Sequence, residues 1–375
     1  FAAKGNTVCI LYPNPYSYFF YIRSDDNGEN WEKTIIWQHP IPFYDETTMQ
    51  IDSIFIPDFS GHMAIDNEGH AHVVWGITRY INDASGSGFF AYHPDWNDGI
   101  GYWNDMMNRF TSGYNALAPP DIPYVAGSEL VVDETYIGWM QDVDGDGVVT
   151  LAETQTPIRT YGMCTTPNIH IDEFGRRFVI FSSNTETYVY TGFSTGTVNY
   201  KHIWARAYDG GGGWGPFVHL TSDIAHIFDD CVYPMIADKS DDNIHYIYQA
   251  DITPGNALDG DHAVQDNFWI YGSMPKMDLL TSVAEEIVIE EGNVTQNFPN
   301  PFSTTSTVKV TLDNSASLTL EISNLMGQRV YHQDLGQMPA GTHPVIIDAT
   351  HLDSGVYFYT IKTGTSSVTK RMIVE

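Results

Sequence analysis

The segment Gly61–Trp75, GHMAIDNEGHAHVVW, constrains this chain most, because it recurs. It reads as a strand at His62–Ile65, a tight turn on Asp66-Asn67-Glu68-Gly69, and a second strand at Ala71–Trp75. Asp bonds local backbone and Gly accepts positive φ, so the pair specifies the turn. The β-branched and aromatic run that follows suits a buried strand. Further copies start at Asn168 (NIHIDEFGRRFVIFSS) and Pro234 (PMIADKSDDNIHYIYQAD), a shortened one at Glu129 (ELVVDETYIGWMQD), and a fifth at Phe1 (FAAKGNTVCILYP). Starts about 40–70 residues apart imply stacked supersecondary units. A two-strand unit cannot bury both faces alone, so successive copies must pack on one another.

Composition supports an all-β chain. Aromatics make up 14%, Gly (32) and Pro (19) are frequent, and no long amphipathic helical pattern is present. The expected fold is a β-propeller with five visible blade-like repeats over residues 1–283. It has either five blades, or six or seven with the first lying upstream, since the chain opens in mid-strand. No apolar run reaches the roughly 18 residues a spanning helix needs, and no signal peptide stands at Phe1. The net charge of −30 is uneven: 6 acids and 5 bases from Asn293 onward, 41 and 12 before it. Such a field disfavours nucleic acid and anionic lipid as partners and attracts cations. The three cysteines, Cys9, Cys164 and Cys231, read as buried small hydrophobes; nothing in their spacing demands a disulfide.

Ser24-Asp25-Asp26-Asn27-Gly28-Glu29-Asn30-Trp31 follows S-x-D-x-G-x-x-W. Asp26 can accept backbone N–H bonds within the turn, Gly28 takes a conformation other residues resist, and Trp31 is expected to pack between sheets. A weaker copy, with Ala207 in place of Ser, includes Asp209, Gly211 and Trp214; a degenerate third surrounds Asp98-Gly99 and Trp103. These turns resemble the Asp-box (BNR) hairpins of sialidase-like β-propellers, where they lie at the blade periphery and do not catalyse.

Asp142, Asp144 and Asp146, then Gly147 and Glu153, match D-x-D-x-D-G-x5-E. In a Ca²⁺ loop the three Asp carboxylates supply oxygens from one side. Position 7, here Val148, offers its carbonyl, and the last Glu closes the shell. The flanks read as strands, so Ca²⁺ is expected to hold an insertion rigid; signalling would need an opening helix pair.

From about Ala284 the text changes. A linker at 284–292 precedes a small Ig-like antiparallel β-sandwich at 293–375, with strands separated by Pro-Asn-Pro, Met-Gly-Gln and Asp-Ser-Gly turns. Gln296–Ser303 (QNFPNPFS), Asn324–Gln328 (NLMGQ), Leu352–Tyr359 (LDSGVYFY) and Thr369–Val374 (TKRMIV) resemble, in order, the type A C-terminal sorting domain of the type IX (Por) secretion system of Bacteroidetes. The resemblance implies contact with that secretion machinery and export across the outer membrane, to a secreted or surface-attached state. In that family the domain is commonly removed on export.

Sialidases hold a substrate carboxylate with three arginines and use a Tyr–Glu nucleophile pair with an Asp acid/base. The propeller region offers Arg23, Arg79, Arg109, Arg159, Arg176, Arg177 and Arg206, with no Arg-Ile-Pro motif before the first Asp-box. The histidines on repeat strands (His62, His70, His72, His170, His245) read as satisfied core residues. Asp229, Asp230, Asp251, Asp259, Asp261 and Asp266 read as loop acids or a second Ca²⁺ site. No catalytic residue is assigned. The reading is a Ca²⁺-binding surface protein that binds polysaccharide or another surface protein, or self-assembles into a layer or fibre. A sialidase-like glycoside hydrolase is the alternative.

Overall fold

The computed structural model describes residues 1–14, 17–41, 53–82, 90–93, 99–120, 126–144, 148–152, 162–193, 196–211, 213–222, 226–255, 257, 262–280, 293–312, 316–325, 328–339, 341–363 and 366–375. The chain divides into two compact units, Phe1–Ser282 and Val283–Glu375. The linker expected at 284–292 lies outside the described residues.

The first unit is built from antiparallel sheets whose strands follow chain order, the meander of propeller blades. Sheet 1 holds β1 (Ala2–Lys4), β2 (Thr7–Tyr12), β3 (Phe19–Ser24) and β4 (Glu32–Trp37). Sheet 2 holds β5 (Ser53–Ile65), β6 (Ala71–Asn82), β7 (Phe90–His93), β8 (Ile100–Asn104) and β9 (Tyr136–Gly138), with β7 and β8 both pairing with β6. Sheet 3 is β10 (Cys164–Ile171), β11 (Arg177–Phe193), β12 (Gly196–Tyr208) and β13 (Val218–His219). Sheet 4 is β14 (Asp230–Ile236), β15 (Asn243–Asp251) and β16 (Phe268–Pro275), followed by the single-turn α1 (Lys276–Leu280).

The described residues thus form four sheets where the repeats predict five units. The difference lies at Glu129, whose shortened copy starts no sheet of its own. Its strand β9 is three residues long and pairs with β8, Ile100 opposite Gly138. So short a strand cannot form an independent sheet, and β8 offers it an open edge.

Each pair of neighbouring sheets shares a core. Phe19, Tyr21 and Trp37 of sheet 1 meet Met63, Trp75 and Trp103 of sheet 2. Val74, Ile100 and Tyr102 of sheet 2 meet Val179, Phe181 and Trp204 of sheet 3. Phe178, Ile180 and Ala205 of sheet 3 meet Ile236, Ile244 and Tyr246 of sheet 4. Sheets 2 and 3 are therefore covered on both faces, which is why their strands read as unbroken apolar runs such as FVIF and not as alternating ones. Cys9, Cys164 and Cys231 form no disulfide with one another and are buried, one in each of these three cores. Burial pushes the Cys9 thiol up to about 11.

The second unit is a two-sheet sandwich. Strands β17 (Thr305–Leu312), β18 (Ala316–Asn324), β19 (Arg329–Met338), β20 (Gly341–Asp348), β21 (Gly355–Thr363) and β22 (Ser366–Val374) form sheets β17–β20 and β19–β18–β21–β22. Val308, Val310, Leu320, Ile322, Tyr359 and Ile361 lie in its core. The Asn-Phe-Pro-Asn-Pro-Phe segment covers strand edges. Phe298 N–H bonds the Thr307 carbonyl at 2.9 Å, Phe302 N–H bonds that of Ile373 at 3.1 Å, and Asn300 Oδ1 accepts Ile373 N–H at 2.9 Å. An edge closed this way offers no template for stray strand pairing.

Candidate functional site

The repeat turns work as their residues suggest. Asp66 Oδ1 accepts the N–H groups of Glu68 and His70 at 2.9 and 2.8 Å. Asp172 Oδ1 does the same for Phe174 and Arg176, both at 3.0 Å. Upstream of these turns the first strands of sheets 2, 3 and 4 share a feature that sequence reasoning missed. Each breaks register once, at Pro57/Gly61, Thr165/Asn168 and Val232/Met235. Each break holds one non-glycine residue at positive φ: Phe59 (+69°), Thr166 (+50°) and Tyr233 (+53°). Bulky and β-branched residues avoid that region, so these bulges are imposed by their surroundings.

For sheets 2 and 3 the surroundings centre on Asp58, which is fully buried. Its carboxylate accepts Ser60 N–H and Gly162 N–H, each at 2.9 Å, the Thr165 hydroxyl at 2.6 Å, and the Ser60 hydroxyl. Ser60 Oγ in turn accepts Thr166 N–H at 3.0 Å, tying the two bulges together. Burial raises the Asp58 carboxyl above the ordinary range, against these hydrogen bonds. The one sequence signal is a Pro directly after the strained residue, at Pro167 and Pro234.

At the first Asp-box turn, Ser24 Oγ donates to Asp26 Oδ1 (2.7 Å) and accepts Gly28 N–H (2.8 Å). Asp26 accepts the Asn30 backbone N–H at 2.9 Å, and with the Asn30 and Ser24 side chains this pulls its carboxyl down to about 2. Trp31 does not pack between sheets as expected. It is 42% exposed, and its indole N–H closes the turn on the Gly28 carbonyl at 2.9 Å. In the second turn Asp209 Oδ1 accepts Gly211 N–H at 2.9 Å. There Trp214 is buried and meets Tyr102 of sheet 2 edge-on at 5.4 Å. The two turns stand one residue out of step. Arg23 pairs with Cys9 and Ala207 with Phe178, so Ser24 and Ala207 lie on opposite faces of their sheets. Trp103, of the degenerate third turn, is buried with its indole N–H on the Asn108 carbonyl at 2.9 Å; Asp98 lies outside the described residues.

Of the expected Ca²⁺ ligands, Asp142, Asp144 and Val148 are described, all exposed; Asp146 and Glu153 lie outside the described residues. Asp142 and Asp144 are joined by Glu186 from β11, with ligand oxygens of all three within 4.8 Å of one another. Glu186 is only 1% exposed. Its Oε1 accepts the N–H groups of Val143 and Asp144, and Oε2 accepts Thr150 N–H at 2.8 Å, so one carboxylate grips both ends of the described loop. Asn199 Oδ1, on the paired strand β12, accepts Ala152 N–H at 2.8 Å. A register break between Asn184 and Val189, with Thr187 at φ +67°, gives Glu186 this direction. Opposite ligands of a Ca²⁺ ion stand about 4.8 Å apart (twice roughly 2.4 Å), so the spacing and the all-oxygen donor set suit that ion.

Five of the seven arginines are engaged within the fold; Arg109 is exposed and Arg159 lies outside the described residues. Arg23 bonds the Gly69 carbonyl (2.7 Å) and Asp25; Arg176 pairs with Asp172 at 2.7 Å; Arg206 with Asp133 at 2.8 Å. Arg177 lies over the rings of Tyr102 and Tyr208, and Arg79 over Phe55. The histidines are bonded as well. His72 reaches Asp66 (3.1 Å) and the Tyr102 hydroxyl (2.6 Å), and His170 the Ser240 hydroxyl (2.7 Å). Asp230, from the second acidic group, is buried and accepts Lys201 N–H at 2.7 Å. Asp259 and Asp261 lie outside the described residues.

No curated protein matches the chain. Among solved structures, a protein of unknown function from Dyadobacter fermentans is 9% identical, with a TM-score of 0.31, over 97% of this chain and 84% of that one. Trypanosoma rangeli sialidase is 8% identical with a TM-score of 0.30, and the match spans 99% of this chain but about half (52%) of that one. PorZ of Porphyromonas gingivalis, an essential surface component of its type IX secretion system, is 13% identical with a TM-score of 0.17 over 100% and 59%. No helix among the described residues is long and apolar enough to cross a membrane. Residues 296–375 match the family described as a secretion system C-terminal sorting domain, the mark of a chain exported across the outer membrane to the cell surface or beyond.

Proposed function

We propose that the exported chain works outside the cell as a Ca²⁺-braced β-propeller interaction module, binding polysaccharide or a surface protein, and not as a hydrolase. In this reading the propeller spans residues 1–283 and delivery is the task of residues 293–375. The observation that carries the metal assignment is the convergence of Asp142 and Asp144 on the buried Glu186. Three carboxylates drawn together repel one another, and a divalent cation between them removes that cost. Asp146, Glu153 and the Val148 carbonyl complete the set by sequence spacing. When bound, Ca²⁺ neutralises the loop. Glu186 meanwhile clamps the loop backbone to β11, and the ion's part is rigidity at the surface. Against catalysis stands the use of Arg23, Arg176 and Arg206 in ion pairs within the fold.

The test has two readouts on the full chain. Thermal melts in Ca²⁺ and in chelator should differ in Tm, and the difference should vanish in Asp142→Ala/Glu153→Ala; an unchanged melt rejects the metal. Ligand-observed NMR with sialosides and polysaccharide fragments should show saturation transfer without product. New product signals would instead establish the glycoside hydrolase.

A further inference from the structure

A buried lysine meets a buried amide where β11 and β12 leave the core. Lys201 is 3% exposed and Asn184 is 2% exposed. The two stand directly opposite each other in the β11–β12 pairing, and Lys201 Nζ donates to Asn184 Oδ1. Both project toward sheet 4. Ile180 packs in the core shared with that sheet, and Ser182, two residues on, reaches the Cys231 carbonyl with its hydroxyl at 2.9 Å. Asn184 is the next residue on this side of β11. Lys201 likewise precedes Ile203 and Ala205, which lie in the same core. There sheet 4 supplies an acid. Asp230, at the start of β14, is 4% exposed, and its Oδ1 accepts the Lys201 backbone N–H at 2.7 Å. Burial pushes its carboxyl up to about 6, and the Lys201 charge is the chief influence drawing it back down.

A hydrogen bond to an amide is a poor resting state for such a lysine. The Asn184 carbonyl carries no net charge, so an ammonium buried against it keeps most of its desolvation cost. The amine becomes a nucleophile once it gives up a proton, and the carbon it can attack is bonded to the oxygen it already touches. Pairing across two strands fixes that approach and turns an encounter into an intramolecular step. Burial excludes water, which therefore neither competes for the carbonyl nor hydrolyses the product. An acid that titrates near 6 can take a proton and return it at neutral pH.

We propose that Lys201 and Asn184 join in an isopeptide bond, with Asp230 as the proton carrier. The Lys201 ammonium first passes a proton to the Asp230 carboxylate. The lone pair freed on Nζ attacks Asn184 Cγ, forming the Nζ–Cγ bond while the C=O π pair moves to Oδ1. Asp230 delivers its proton to Nδ2. The carbonyl then reforms, and the Cγ–Nδ2 bond breaks with its electron pair leaving on ammonia. Nζ, now an amide nitrogen, gives its extra proton to Asp230. One amide replaces another, ammonia is released and Asp230 ends protonated. No oxidant or cofactor enters, and neither buried charge remains. The bond locks β11 to β12 immediately before the register break that aims Glu186, and it needs neither bound Ca²⁺ nor a ligand.

The experiment is intact-mass spectrometry of the denatured full chain, beside Lys201→Met, Asn184→Ala and Asp230→Asn, with circular dichroism to establish that each variant folds. The wild type should be lighter than its sequence by one molecule of ammonia. Tandem spectra of a digest should hold Asn184 and Lys201 in one branched peptide, a readout that stands on the wild type alone if a variant does not fold. Lys201→Met and Asn184→Ala should each show the full sequence mass. Asp230→Asn keeps an acceptor for the Lys201 N–H, and its cross-linked fraction should be at least tenfold lower at the same time after synthesis. A wild type of full sequence mass, with Asn184 and Lys201 in separate linear peptides, overturns the proposal. An ammonia loss that Lys201→Met retains comes from another amide and overturns it as well. Equal cross-linked fractions in the wild type and Asp230→Asn overturn the part given to Asp230.

Discussion

Single buried acids in this protein carry more weight than its exposed ones. Burial raises the Asp230 carboxyl to about 6, against the Lys201 N–H bond and the Lys201 charge, while an unfolded Asp titrates near 3.8. The folded chain thus holds this proton more tightly than the unfolded chain does. The resulting stability is fully present below about pH 4 and is lost as the pH rises through 6. Asp230→Asn keeps an acceptor for Lys201 N–H and removes the titration. Urea unfolding at several pH values should show the wild type losing stability relative to Asp230→Asn between pH 4 and 7, on the order of 3 kcal/mol. Parallel curves would mean that Asp230 does not titrate in this window. Gly76 is a second pressure point, because a Cβ there would overlap the Asp58 carboxylate. Gly76→Ala should cost about 1–3 kcal/mol as an overpacked site, read as a Tm about 2–4 °C lower per kcal/mol. Neither residue was legible in the sequence. Asp58 meets Gly162 and Thr165 across more than 100 positions, and only folding reveals that Gly76 faces it.

Elements whose geometry is local were readable, and those decided by long-range pairing were not. The turns at Asp66 and Asp172 follow from an Asp that bonds N–H groups two and four residues ahead, a pattern visible in a few letters. Whether the strand after Glu129 starts a sheet or ends one depends on β8, which stands some thirty residues earlier, so among the described residues this repeat adds a strand to sheet 2. The loop at Asp142 shows the same division. Its own carboxylates announce themselves by spacing, but Glu186 lies more than forty residues beyond Val143, reached by a bulge in β11 that no local pattern marks. The arrangement gives Glu186 two roles. In Glu186→Gln one oxygen still accepts loop N–H groups, but an NH2 donor replaces the second acceptor, so one end of the loop loses its bond, and one charge is gone. Calorimetric Ca²⁺ titration should then show at least tenfold weaker binding, and the chelator-treated melt should fall by the lost acceptor, about 1–3 kcal/mol. Equal affinity in the two proteins would exclude Glu186 from the metal shell.

At the scale of the whole molecule, charge and architecture change together. Residues before Asn293 carry about −29 of the −30 net charge, and residues 293–375 form a nearly neutral sandwich whose β17 and β22 edges are covered. A nearly neutral module suits a part that must be recognised by secretion machinery, while a strongly acidic one stays dispersed and gathers cations once outside. The division predicts separable failures. Deleting Asn293–Glu375 removes residues 296–375, which match the sorting domain, and spares the first unit, whose three cores contain, among the described residues, none from beyond Leu280. The truncated chain should therefore accumulate folded in the periplasm, protease-resistant and absent from the medium and the cell surface. Fractionation with a protease-protection assay reads both properties at once. Secretion of the truncated chain would show that export does not depend on these residues. Periplasmic degradation would show that the propeller needs the sandwich to fold.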